Sequence, residues 1–141
     1  MNDIKIAKEF HWEMAHRLPY HTGGCQNLHG HSYRLLVEIT GTPLANGMLM
    51  DYADLKHIVK PLIDELDHGF MCSEDDALMK EFLRTTHFKI VHVSFYTTAE
   101  NIALYFLNKI QSTLSTYKNL SGLTVRVNET RSTYAEISKS L

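Results

Sequence analysis

The run Cys25-Gln26-Asn27-Leu28-His29-Gly30-His31 concentrates the residue types best suited to chemistry. Histidines two apart on a strand point to the same side. Their imidazoles can then meet one metal ion at about 2.0–2.1 Å per bond. Gly30 leaves backbone room between them. His16 ends an earlier alternating segment and lies on its apolar face. If the two segments pair antiparallel, His16 faces His29 and His31. Three neutral histidines with no fourth protein ligand describe an open, catalytic coordination sphere. Zn²⁺ is the default occupant, although copper or nickel also suits imidazoles. On the pattern alone this reading stands level with a plainer one, unrelated polar histidines at a strand margin.

Four other groups bear on acid–base chemistry. Cys25 sits in a glycine-bearing loop, where a thiolate near a metal and histidines can act as base or nucleophile. The commoner fate of a lone cysteine is an inert small hydrophobe. In Leu66-Asp67-His68, an Asp can orient a His and stabilise its charged form, but neighbours in sequence do not usually point at each other. A helix end closed by His68 and Gly69 explains the same residues without function. Glu129 ends the alternating run Leu123, Val125, Val127. An inward carboxylate there needs a partner, and a planar ligand with two parallel N–H donors would satisfy it. The plainer alternative is a Glu turned to water. Thr97-Thr98-Ala99-Glu100 reads as a capping box, with Thr97 as the cap and Glu100 bonding back. Cys72, His11, His21, His57, His87 and His92 carry no such signal.

The elements that must position these groups follow from periodicity. Residues 4–16 and 29–40 alternate as strands. Residues 18–27 form a loop, and 41–47 a hairpin-type connection rich in Gly, Pro and Asn. Leu55, Ile58, Val59, Leu62, Ile63 and Leu66 recur at helical spacing behind an Asp51 cap. Pro61 predicts a kink there. A short helix over 75–84, a strand over 88–95, a helix from 97 to about 118, and two late strands complete the pattern. This order predicts an α+β design, with a largely antiparallel sheet and helices on one face.

The 141 residues suit one domain, 1–141. The hydrophobic fraction of 44% supports a core, and a net charge of −2 offers no basic footprint for nucleic acid. No apolar run is long enough for a membrane span, and no signal peptide is evident. Two cysteines make no disulfide framework and fit a reducing, cytoplasmic setting.

Taken together, six stretches resemble the 6-pyruvoyl- and 6-carboxy-tetrahydropterin synthase family. They are Phe10 to Leu18, Cys25 to His31, Gly47 to Lys56, Leu66-Asp67-His68, Thr98-Ala99-Glu100-Asn101 and Asn128-Glu129-Thr130. The resemblance implies the tunnelling fold: a four-stranded antiparallel sheet with helices on one face, oligomerising into a β-barrel, typically a homo-hexamer of two trimers. It implies Zn²⁺ on His16, His29 and His31, Cys25 as proton-abstracting base, and Asp67 with His68 as a second acid–base pair reaching a neighbouring subunit. It implies that Glu129 anchors a pterin whose pocket Thr98 and Ala99 line. The short Cys-to-His-Gly-His gap resembles the bacterial 6-carboxy branch of queuosine synthesis. That branch converts 7,8-dihydroneopterin triphosphate to 6-carboxy-5,6,7,8-tetrahydropterin, acetaldehyde and triphosphate. The rivals are the 6-pyruvoyl reaction without carbon–carbon cleavage, a non-catalytic zinc-stabilised pterin-binding protein, and a zinc hydrolase. Two features depart from the family pattern: Thr97 stands where a proline is common, and the segment from Cys72 to Tyr96 is longer than in compact members. Arg17 and Lys56 are candidates for the triphosphate that the sequence does not decide between.

Overall fold

The computed structural model describes residues 2–141. Two long strands, β1 (Ile4–His16) and β2 (His29–Gly41), form the centre of the sheet. They pair antiparallel without a break, from Ile4 opposite Gly41 to His16 opposite His29. Strand β2 continues into helix α1 (Tyr52–Leu66), then β3 (Gly69–Ser73), helix α2 (Ala77–Leu83), β4 (Ile90–Val93), helix α3 (Ala99–Leu114), β5 (Leu120–Asn128) and β6 (Tyr134–Ser140). Strands β5 and β6 extend the antiparallel half beyond β2.

The alternation of β1, β2 and β5 becomes a two-faced sheet. Phe10, Trp12, Met14, Tyr33, Leu35, Val37, Ile39, Leu123, Val125 and Val127 are buried on one face. The apolar stripes of α1 (Leu55, Val59, Ile63, Leu66) and α3 (Ile102, Ala103, Phe106, Leu107, Ile110, Leu114) join them in one continuous core. Each buried Val, Leu, Ile, Phe or Met among them contributes about 1.5–3 kcal/mol relative to exposure. Trp12 stacks on Tyr33 at 4.8 Å and meets Phe106 edge-on at 5.4 Å, so strand and helix are locked just below the histidines. The opposite face carries exposed ion pairs, Lys5–Glu38 and Arg34–Glu9, both at 3.0 Å.

The α+β class and the antiparallel four-strand core agree with the sequence reading, but the sheet has six strands and is mixed. Its order is β4-β3-β1-β2-β5-β6, with β3 parallel to β1 and β4 parallel to β3. Four of the five residues of β3 are buried. A strand covered on both faces loses the period-two signal, which is why Gly69 resembled a helix stop rather than a strand start. Segment 41–47 does turn tightly, with the Gly47 N–H on the Leu44 carbonyl at 2.8 Å and φ of 83° at Gly47. It leads into a helix, however, and not into a returning strand. Asp51 caps α1 as expected, accepting from the Ala53 N–H at 2.7 Å, and the helix continues through Pro61.

The cap of α3 falls one residue later than expected, and the reciprocal bond of a capping box is not made. Thr98, not Thr97, caps α3 and accepts from the Asn101 N–H at 3.2 Å. The Thr98 N–H itself goes to the Tyr96 carbonyl at 2.9 Å, leaving Glu100 free of the bonding-back role. Thr97 is thereby released for another use.

Candidate functional site

His16, the last residue of β1, is 1% exposed. Its cross-strand partner is His29, the first residue of β2. The two rings lie 4.6 Å apart, and His31 stands 5.2 Å from His16 and 5.0 Å from His29. One ligand atom from each ring falls within 4.8 Å of the others. Gly30 allows this close pairing, because a Cβ there would meet the Met14 carbonyl oxygen at 3.1 Å. The sequence expectation that strand pairing gathers the three rings is met.

Backbone carbonyls fix which nitrogen faces inward. His16 Nδ1 donates to the Thr97 carbonyl at 2.7 Å, and His29 Nδ1 donates to the Asn27 carbonyl at 2.7 Å. Each bond leaves Nε2 with a free lone pair, the arrangement found in metal-ligating histidines. His16 Nε2 is buried without a protein hydrogen-bond partner. A buried polar atom in that condition is costly unless a ligand satisfies it. Burial pushes the His16 imidazole down to about 4, with the Thr97 carbonyl opposing and His29 and His31 adding to the fall. Burial and then His29 also lower His31. Neutral rings are the form that binds metal. The donor set therefore fits a divalent ion such as zinc.

Glu129 follows the end of β5, where Asn128 pairs with Arg34 of β2. That register carries its carboxylate to the cluster, 3.9 Å from His16 Nε2 and 4.0 Å from His31 Nε2. Burial and then the Glu100 carboxylate push the Glu129 carboxyl upward, while His29 opposes them. Tyr33, two residues after His31 on the same face, packs 5.3 Å from the His31 ring. Its hydroxyl is fully buried without a protein hydrogen-bond partner. Burial, then Glu129, raises the phenol well above its ordinary value, so it stays a hydrogen-bond donor.

The remaining predicted residues divide. Thr98 and Ala99 open α3 directly after Thr97, whose carbonyl holds His16, so the helix N-terminus adjoins the cluster. Cys25 sits in a single 3-10 turn, Gly24–Gln26, and is partly exposed. It is not among the three residues whose ligand atoms converge. Asp67 and His68 lie apart from the cluster. Ala15, on the face opposite His16, lines with His68, Phe70 and Phe88 an apolar groove of about 380 Å³. Contrary to the usual rule for neighbours, Asp67 and His68 do face each other, with Oδ1 and Nδ1 3.1 Å apart. The cause is His68 itself, the one described non-glycine residue at positive φ, 61°. The Glu13 N–H, at 2.9 Å, and then the His68 ring hold the Asp67 carboxyl below its usual range.

Sequence reasoning missed Thr97 and Asn27 because both act through carbonyl oxygens, which carry no side-chain signal. Tyr33 was visible as a member of the His29–His31 register. Arg17 turns out to be bound to Asp76, a residue with no sequence signal of its own.

Fold and cluster together define an α+β protein able to hold one metal ion at the end of its central strand pair. A family model described as 6-pyruvoyl tetrahydropterin synthase matches residues 5–140, and the chain belongs to that family. It is 40% identical to the 6-carboxy-5,6,7,8-tetrahydropterin synthase of Haemophilus influenzae, over 94% of this chain and 97% of the relative. The synthase of the same name from Rickettsia conorii is 31% identical, over 95% and 99% of the two chains. Among solved structures, an uncharacterized protein of Wolinella succinogenes superposes with a TM-score of 0.84 at 25% identity, covering 97% of this chain and 98% of its own. The 6-pyruvoyl tetrahydropterin synthase of Plasmodium vivax shares the fold over the full length of both chains, with a TM-score of 0.80 at 19% identity. No described helix is long and apolar enough to cross a membrane.

Proposed function

We propose that the chain, acting in the cytoplasm as one domain over residues 1–141, is a zinc-dependent lyase of queuosine synthesis. Its substrate is 7,8-dihydroneopterin triphosphate, and its products are 6-carboxy-5,6,7,8-tetrahydropterin, acetaldehyde and triphosphate. The observation that carries this reading is the meeting of three imidazoles with the Glu129 carboxylate about 4 Å away. The relatives named above support the choice of product.

In this reading His16, His29 and His31 hold the ion, which as a Lewis acid makes protons on the substrate side chain easier to remove. Glu129 accepts two N–H donors from the amide–amidine edge of the pterin and fixes its orientation. Thr98 and Ala99 line the pocket at the start of α3. Tyr33 and the burial of His16 keep the floor of the site dry. Cys25 removes a side-chain proton. Asp67 orients His68 as a second acid–base group.

Because that pair sits outside the histidine cluster of its own chain, its role requires a neighbouring subunit. We assign a homo-hexamer of two trimers. Two features support barrel closure: β1 pairs with β3 only at Met14 and Ala15, which leaves the rest of that side of β1 unpaired, and β6 is an edge strand of the sheet. Unpaired edges of this length invite pairing with another chain.

A product assay with dihydroneopterin triphosphate tests the reading. Acetaldehyde and 6-carboxy-tetrahydropterin are expected in equal amounts. Triphosphate release without acetaldehyde would instead make the protein a 6-pyruvoyl enzyme, and no turnover by the zinc-loaded protein would leave only pterin binding.

A further inference from the structure

The turn that carries Cys25 is tied to the end of β1 from several directions. The Leu18 N–H donates to the Cys25 carbonyl at 2.7 Å. Arg17 Nη1 donates to the next carbonyl, Gln26, at 2.9 Å. The carbonyl after that, Asn27, receives His29 Nδ1 at 2.7 Å. Three successive carbonyls are thus held by residues of, or next to, the histidine-bearing strand ends.

Arg17 is itself fixed from behind. Its Nε and Nη2 reach Asp76 Oδ2 and Oδ1 at 2.6 and 3.0 Å, a two-pronged pair. Asp76 is 3% exposed and also caps α2, accepting from the Met79 N–H at 3.2 Å. It lies in the short link between β3 and α2. A buried ion pair of this kind adds little net stability, because desolvating both charges offsets their attraction. What the pair supplies is geometry. A planar guanidinium gripped on one edge presents its remaining N–H groups in a fixed direction, which an ammonium cannot do.

We propose that Arg17 and Asp76 are positioning residues that set where the Cys25 thiol stands relative to the histidine cluster. The link between β3 and α2 acts through Asp76 as the rear brace of the turn, and Arg17 is not a triphosphate ligand. This inference rests on the assignment of Cys25 as the base, but its first readout does not depend on turnover.

The test uses the full-length zinc-loaded protein with Arg17→Lys and Asp76→Asn. The rate of iodoacetamide alkylation at Cys25 is followed by peptide mass spectrometry, with added N-acetylcysteine as the reference thiol, because Cys72 lies within the charge field of Arg17 and Asp76. Zinc content, kcat and KM are measured alongside. The expected result is full zinc occupancy, an unchanged KM, an alkylation rate shifted several-fold, and a kcat lowered about 100-fold, the scale of a misplacement near 1 Å. Should either variant fail to fold, the paired replacement of Arg17→Met with Asp76→Leu removes both charges together and keeps the packing. The same shifts are expected of it. An alkylation rate equal to that of the parent protein in folded, zinc-loaded variants would overturn the proposal. A shifted alkylation rate with unchanged kcat would uphold the positioning and overturn the base role of Cys25.

Discussion

His16 Nδ1 and the Thr97 carbonyl oxygen stand 2.7 Å apart, 81 residues apart in sequence. This bond joins the end of the central strand to the entry of α3 and fixes the imidazole that carries the metal reading. Because a backbone carbonyl makes it, the bond does not require a particular side chain at position 97, although the buried Thr97 hydroxyl also lies 3.2 Å from the same nitrogen. Thr97→Pro, which removes the hydroxyl and keeps the carbonyl, is expected to leave metal content intact. Metal analysis of the purified variant checks this. Loss of the ion would mean that the Thr97 hydroxyl, 3.2 Å from the same nitrogen, holds the ring instead.

His31→Ala removes one of the three proposed ligands and is expected to abolish both metal retention and turnover. Cys25→Ala is expected to separate the two, keeping the ion and lowering kcat by about 10²–10⁴, the range of general-base catalysis. Zinc stoichiometry and steady-state kinetics on the same preparations decide the matter. A Cys25→Ala protein with parental kcat would remove the thiol from the mechanism.

Glu129→Gln keeps the shape of the side chain but loses its charge and half its acceptor capacity. Hydrogen bonds to a charged group contribute about 1.5–3 kcal/mol, so pterin affinity should fall by about 10- to 100-fold. Titration calorimetry with a non-reactive pterin reads this directly. Unaltered affinity would place the pterin elsewhere.

The metal-free protein should lose stability with acid in a defined window. The unfolded chain protonates His16 near pH 6.5, whereas the buried ring stays neutral down to about 4. Since the unfolded state binds more protons in between, this contribution is fully present above pH 6.5, falls as the pH drops, and levels off below 4. The total is on the order of 3 kcal/mol. Urea midpoints measured across this range, with His16→Gln as comparison, report it. Parallel pH profiles for the two proteins would contradict the burial argument.

Much of this site was legible because alternation is a strong signal. Trp12, Met14 and His16 on one strand, with His29, His31 and Tyr33 on the next, had to share a face once the strands paired. The rest was hidden for identifiable reasons. Strand β3 is buried on both faces and shows no period. The cap of α3 could fall on either of two adjacent threonines, and only the packing of Thr97 against His16 selects Thr98. Asp67 and His68 meet because a histidine adopts a backbone conformation normally left to glycine. Asp76 carries no signal of its own in the sequence, and its role emerges only with Arg17 beside it.

The most direct test is anomalous diffraction at the zinc absorption edge from crystals of the purified protein. One ion per chain is expected, bonded to Nε2 of His16, His29 and His31 at about 2.0–2.1 Å. An ion bound elsewhere, or three rings turned away from one another with nothing between them, would contradict the account.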